Sequence, residues 1–162
     1  MTTLSTIHSS AVAFIVEGSE DAKVRRNMVT DSYYGHGIRA FTSKGLEVLE
    51  NRVARTGQGG IDIRTSDNAK INDNTVTNTG IDGIVLGLSA DAEVKNNFVG
   101  TDKAGNSYGY RNIRDDGIHV FSSESALVEN NTVTDTRRDG IKLQNSHNSE
   151  ILKNHIISTN GR

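Results

Sequence analysis

The chain has 162 residues, 34% of them hydrophobic, with 18 Lys and Arg against 20 Asp and Glu for a formal net charge of −2, and no Cys, Pro or Trp. The missing cysteines exclude disulfides and thiolate metal sites. The charge balance gives no basic footprint for nucleic acid, and no apolar run approaches the length of a membrane-spanning helix.

Met1 to Ser10 lacks the charged and apolar regions of a signal peptide, and residues 1–12 read as an N-terminal segment or partial cap. From Ala13 onward the chain repeats. Gly37, Gly60, Gly83, Gly117 and Gly140 each open the phrase Gly-Ile-x-apolar, at spacings of 23, 23, 34 and 23 residues. The spacing of 34 is one period plus an 11-residue insertion. A fixed period of this size predicts stacked units. Six fit: 13–36, 37–59, 60–82, 83–116, 117–139 and 140–162.

Counting from the opening residue of each unit, offset one holds Phe14, Ile38, Ile61, Ile84, Ile118 and Ile141, and offset three holds Val16, Ala40, Ile63, Leu86, Val120 and Leu143. Offsets eleven and sixteen are Val or Ile throughout. Apolar residues stepping by two are strand periodicity, and β-branched residues suit strands. No helical pattern is sustained. Each unit therefore predicts two or three short strands joined by tight turns. With parallel strands stacked at about 4.8 Å, six coils make a rod roughly 29 Å long, and right-handed crossovers are the rule for such strands. The predicted fold is all-β: a right-handed parallel β-helix over residues 13–162, with an inserted loop within 100–114.

Two polar columns belong to that scaffold. Offset six is Ser in every unit and offset fourteen is Asn in every unit. Asn tolerates bends and bonds backbone groups, and stacked Asn side chains bond one another, so a ladder is the expected role. Lys23, Glu47, Lys70 and Glu93 at offset ten alternate in sign, as cross-strand pairs on a solvated face would. Arg162 ends the sixth period. A solenoid needs its ends covered, which predicts further coils or domains of a longer chain, or an oligomer, over them.

Offsets two and four of the Gly-Ile-x-apolar strand must point away from the core. They are Ile15/Glu17, Arg39/Phe41, Asp62/Arg64, Val85/Gly87, His119/Phe121 and Lys142/Gln144. The small Val85/Gly87 step predicts a dip. The insertion, with Tyr108, Tyr110, Arg111 and Arg114, predicts a wall beside the strip near His119. Aromatic faces and cations along a groove suit an acidic polysaccharide. Arg39, Phe41, Asp62, Arg64, Phe121 and Lys142 are the candidate substrate-binding residues. His119 is the candidate acid or base, because imidazole titrates near neutrality, and Tyr110, or else Tyr108, is its candidate counterpart across the groove. The plain alternative is that outward positions on any β-helix are polar.

Asp82, Asp116 and Asp139 each precede a repeat Gly. Asp before Gly is ordinary turn chemistry, with Arg114, Arg137 and Arg138 near enough in sequence to offset the charge. On that reading no cofactor is needed; the alternative is a hard cation such as Ca²⁺, which takes several such oxygens.

The phrases DGIHVFSSESALVENNTVTDT and DGIKLQNSHNSEILKNHIIS resemble the right-handed parallel β-helix repeats of the pectate-lyase-like superfamily, which includes mannuronan C5-epimerases, polysaccharide lyases, glycan hydrolases and phage tailspikes. The resemblance covers nearly the whole chain. It implies a secreted or cell-surface protein of bacterial or phage origin. It also implies a carbohydrate-active β-helix that binds an acidic polysaccharide, of uronan epimerase or lyase type if it is an enzyme. The alternative is a non-catalytic structural or adhesive segment of a larger surface or fibre protein. The epimerase signature Tyr-Gly-x-Asp-Pro-His is absent, since the chain has no Pro. Asp115-Asp116-Gly117 is similar to the paired-aspartate motifs of polygalacturonases, which adds Asp116 to the catalytic candidates.

Overall fold

The computed structural model describes residues 5–8, 11–106 and 112–157, the first of these stretches by its backbone alone. The described chain is all-β, with nineteen strands in three parallel sheets. Each coil contributes one strand to each sheet, so the larger of the two strand counts expected per coil is the observed one. The strip sheet contains Phe14–Glu17, Ile38–Phe41, Ile61–Arg64, Ile84–Gly87, Ile118–Phe121 and Ile141–Gln144. A second six-stranded sheet runs from Lys23–Arg25 to Glu150–Leu152, and the seven-stranded third sheet from Ser5–His8 to His155–Ile157. Residues Ser5–His8 pair in parallel with the strand Asn27–Ser32, so the N-terminal segment adds a strand to the stack.

The register is the one the repeat predicts. Ile38, Ile61, Ile84, Ile118 and Ile141 are successive partners across the strip sheet. Ile38, Ile61, Ile84, Ile118 and the Val column Val53, Val76, Val99 and Val133 are wholly buried. Corners follow from local backbone: the residue after each strip strand lies in the left-handed region, as at Thr42, Thr65, Leu88 and Ser122. At the far end of the stack Leu143, Ile151, Ile156 and Ile157 are exposed.

The repeat Gly is required by space. A Cβ on Gly60 would run into Val76 Cγ1 and the Gly83 carbonyl, and Gly37, Gly83 and Gly117 meet the equivalent atoms. The turn entering each strip strand thus touches both its own coil's Val and the next coil's backbone. The Asn column is a continuous ladder. Asn74 Nδ2 donates to Asn97 Oδ1 at 3.1 Å and to the Val48 carbonyl at 2.8 Å, while Asn74 Oδ1 accepts the Asn51 N–H at 2.9 Å. The same pattern runs from Asn27 to Asn154. In the Ser column each backbone N–H donates to the Oγ of the next coil, as from Ser43 to Ser66 at 3.0 Å. In the offset-ten column Lys23 pairs with Glu47 at 3.7 Å, whereas Glu93 takes Lys95 of its own strand at 3.2 Å.

The insertion leaves the stack at Gly100 and rejoins it at Ile113, which is buried and bridges Thr79 to Thr136. Its described part, 101–106, is closed by the Asp102 carboxylate, which accepts the N–H groups of Ala104 and Asn106. Asp102, Lys103 and Ala104 border Arg52 and Thr75 on the third sheet. The expected wall beside the strip is therefore not formed by these residues, because the Asp102 turn folds them onto the neighbouring sheet. Tyr108, Tyr110 and Arg111 lie outside the described residues.

Removing one ladder side chain in mid-stack strands several buried groups, each costing about 1–3 kcal/mol. Asn74→Ala should lower unfolding free energy by ~3 kcal/mol or more, and Asn27→Ala at the partly exposed end by ~1 kcal/mol, as read by urea denaturation. Equal losses at the two positions would contradict the ladder account.

Candidate functional site

The outward residues of the strip sheet form two columns in the predicted register: Arg39, Asp62, Val85, His119 and Lys142, and beside them Phe41, Arg64, Gly87, Phe121 and Gln144. A third column flanks them, made of the residue before each repeat Gly: His36, Gly59, Asp82, Asp116 and Asp139. The side chains meet along a repeated diagonal. The residue before the Gly of one coil reaches the offset-two residue of the next. His36 Nε2 is 3.5 Å from Asp62 Oδ2, Asp82 Oδ2 is 3.9 Å from His119 Nδ1, and Asp116 Oδ2 is 3.4 Å from Lys142 Nζ.

Geometry produces this pairing. Asp82 Oδ1 accepts the Asp116 N–H at 2.9 Å, and Asp116 Oδ1 accepts the Asp139 N–H at 3.1 Å. Each carboxylate thus spends one oxygen fastening the next turn and aims the other across the strip. In sequence the pairs are one period plus three residues apart, with the insertion added for Asp82 and His119.

Around Asp62 the diagonal becomes a hub. Asp62 is fully buried; Oδ1 accepts Arg64 Nε at 2.7 Å, and Oδ2 lies 3.5 Å from both Arg39 Nε and His36 Nε2. Expected as an open contact on the strip, Asp62 is instead covered by the groups it holds. It reaches a ligand through Arg39 and Arg64, whose side chains are about a third exposed or more, at 35% and 41%. A buried carboxylate with two cations and an imidazole around it has its charge compensated. His36 sits in that hub with its pKa lowered, chiefly by burial and further by Arg39 and Arg64, while Asp62 acts in the opposite direction. Sequence reasoning passed over His36. Its place in the same column as Asp82 and Asp116, one diagonal step from Asp62, was the available signal.

The Val85/Gly87 step is not a dip. A Cβ on Gly87 would collide with the Phe121 ring, so the ring occupies the space that the missing side chain leaves. From there Phe121 meets the Arg64 guanidinium at 5.5 Å and the His119 ring at 5.4 Å. Arg39 lies over Phe41 at 4.4 Å. Such cation–π contacts are worth about 0.5–2 kcal/mol and orient the guanidinium planes. Phe121 joins the Asp62 hub to the Asp82–His119 pair across one coil.

His119 is partly buried, its Nδ1 toward Asp82, and its Nε2 is covered with no hydrogen-bond partner among the described residues. Asp116 is buried against Lys142 and the Asp139 N–H, so it holds its neighbours rather than facing the strip surface. Of the arginines near these carboxylates, Arg138 pairs with Asp115 at 3.0 Å, and Lys142 is the cation at Asp116. Ligand atoms of Asp82, Asp116 and His119 lie within 4.8 Å of one another. This set fits Ca²⁺ poorly: the ion takes six to eight oxygens, one of the three ligands is an imidazole, and an ammonium already faces Asp116.

Burial lowers the folded-state pKa of His36 below its ordinary 6.5. The unfolded chain therefore binds more protons as pH falls below about 6.5, and stability is lost in that direction. Urea denaturation between pH 7.5 and pH 5 should show wild type losing stability that His36→Gln retains. Parallel pH profiles would contradict the assignment.

The right handed beta helix region family matches residues 2–99 and 104–162. Among solved structures, a double mutant of the periplasmic alginate epimerase AlgG is 28% identical, with a TM-score of 0.76 over 91% of this chain and 33% of that one. The chain thus spans about a third of the length of that epimerase. The DFA-IIIase of Arthrobacter chlorophenolicus A6 (12% identity, TM-score 0.61, 90% of this chain and 42% of that one) and tailspike protein 2 of bacteriophage CBA120 (11%, 0.58, 93% and 31%) share the fold. No curated protein matches the chain in sequence. With the profile spanning all but a few residues, the chain belongs to the right handed beta helix region family.

Proposed function

We propose that this β-helix binds an acidic polysaccharide along the strip sheet and acts on it as a uronan epimerase or lyase does, by removing the proton next to the sugar carboxylate. The observation that carries the reading is His119. Its ring is partly exposed on the strip, Nδ1 lies 3.9 Å from the Asp82 carboxylate, and Lys142 and Arg64 stand along the same strip, one held by Asp116 and the other over Phe121. A nearby carboxylate orients the imidazole, the side chain suited to exchanging a proton near neutral pH. The alginate epimerase likeness supports the same class.

Chemistry assigns the roles. Abstraction of a proton beside a carboxylate requires that carboxylate to be neutralised, or the developing negative charge has no partner. Arg64 and Lys142 are the cations nearest His119 along the strip, and Arg39 continues the positive track one turn away. His119 is the acid or base. Asp82 positions His119, Asp62 positions Arg39 and Arg64, and Asp116 positions Lys142. Phe41 and Phe121 offer apolar faces for sugar rings while holding the guanidinium groups. Tyr110, outside the described residues, is the proposed second acid. The polysaccharide-bearing surroundings of such a protein would be extracellular or periplasmic.

Incubation with polymannuronate and pectate in D₂O, followed by proton NMR and by absorbance of unsaturated products, tests the reading. Wild type should exchange the C5 proton or eliminate. His119→Gln should lose at least about 10²-fold in rate, the scale of a lost general acid or base, with its melting unchanged. Arg64→Gln should lower kcat as well as raise KM, since the charge it neutralises grows in the transition state. A wild-type protein that binds uronates without turning them over would replace the enzyme with an adhesive module. Full activity in His119→Gln would overturn the assignment of the base.

A further inference from the structure

The corner between the third sheet and the strip sheet carries a second concavity that shares no residue with the strip. It is an open hollow of about 560 Å³ lined by Tyr33, Arg55, Gly57, Asn78, Gly80 and Arg114, with Thr56, Thr79 and Asn112 beneath. Tyr33, Gly57, Gly80 and Arg114 occupy one column of the repeat, once the insertion is counted out. Backbone enforces the hollow. A Cβ on Gly57 would run into the Tyr33 carbonyl, and one on Gly80 into the Gly57 carbonyl. Two successive coils are thus bare where the coils on either side carry Tyr and Arg. At about 4.8 Å per coil the span from Tyr33 to Arg114 is roughly 14 Å.

The walls are set in advance. Asp31 accepts the Tyr33 hydroxyl at 2.9 Å and holds Arg55 through two hydrogen bonds, at 2.6 and 2.8 Å. That clamp fixes an exposed aromatic ring at one end. Arg55 and Asn78 lie in the left-handed region, which turns the chain outward at the rim. At the other end the Arg114 side chain is exposed and makes no ion pair among the described residues. An aromatic face, an amide, a bare polypeptide floor and an uncommitted guanidinium at the far end match a sugar ring and a carboxylate along one short chain.

We propose that this hollow is a separate binding site for a short acidic saccharide, with a ring stacked on Tyr33 and a carboxylate on Arg114. The inference extends the polysaccharide reading to a second face. Its residues are independent of His119 and of the strip cations.

Amide chemical-shift mapping with an alginate trisaccharide, and with maltotriose as the neutral control, tests it. Saturable shifts at Gly57, Asn78 and Gly80 with the acidic probe alone are expected. Arg114→Gln, Tyr33→Ala and Tyr33→Phe variants separate the contacts: Arg114→Gln and Tyr33→Ala should each weaken binding there about tenfold, the scale of one charge-assisted or stacking contact, while Tyr33→Phe, which keeps the ring but releases it from Asp31, should weaken it less. Shifts confined to the strip would overturn this site and leave the strip reading standing. Shifts confined to the hollow would support the site and remove the strip's claim. No shifts at either face would overturn both.

Discussion

Parallel coils must stack in one register or the core, the corners and the outward columns all fail together, and the buried Asn ladder sets that register. Each mid-stack Asn, as Asn74 does, bonds the next coil's Asn through its side chain and a carbonyl of the preceding coil. A slip would leave these groups unpaired in a place where water cannot satisfy them. The repeat Gly acts with the ladder. It lets the turn approach both the Val of its own coil and the next turn's carbonyl, so successive coils seat at backbone contact. A larger residue there would push two coils apart and misalign every column.

Fixed register converts sequence spacing into site geometry. The column before each Gly lies one diagonal step from the column of outward residues, which is why His36 meets Asp62, Asp82 meets His119 and Asp116 meets Lys142. Carboxylates in this arrangement do two things at once: one oxygen closes the turn and the other orients a basic side chain. The scaffold therefore holds the candidate site with its own backbone hydrogen bonds. Gly87 adds the exception, leaving room for Phe121 to link the Arg64 guanidinium to the His119 ring.

The fold was legible because one signal recurs six times. The apolar residues at offsets one and sixteen and the Asn at offset fourteen each report the same period, so the register of Arg39, Asp62, Val85, His119 and Lys142 could be read directly. Burial on the outward face could not. Asp62 points outward yet is sealed by Arg39, Arg64 and His36, since long side chains fold back toward a charge when the neighbouring column supplies one. The dip at Gly87 was filled for a related reason: a missing side chain invites the nearest aromatic. The insertion carried no period, so its direction was not encoded in spacing. The Asp102 turn, a local hydrogen-bonding choice, sends residues 101–106 toward the third sheet.

The central claim is that the outward columns of the strip sheet recognise uronate polymers through Arg64 and Lys142. A glycan array carrying alginates, pectates and neutral polysaccharides, probed with wild type and with the Arg64→Gln, Lys142→Gln double variant, measures this most directly. The account predicts binding confined to uronate polymers and lost in the double variant, whose fold is retained. Binding to neutral glycans, or uronate binding that survives the double variant, would contradict it.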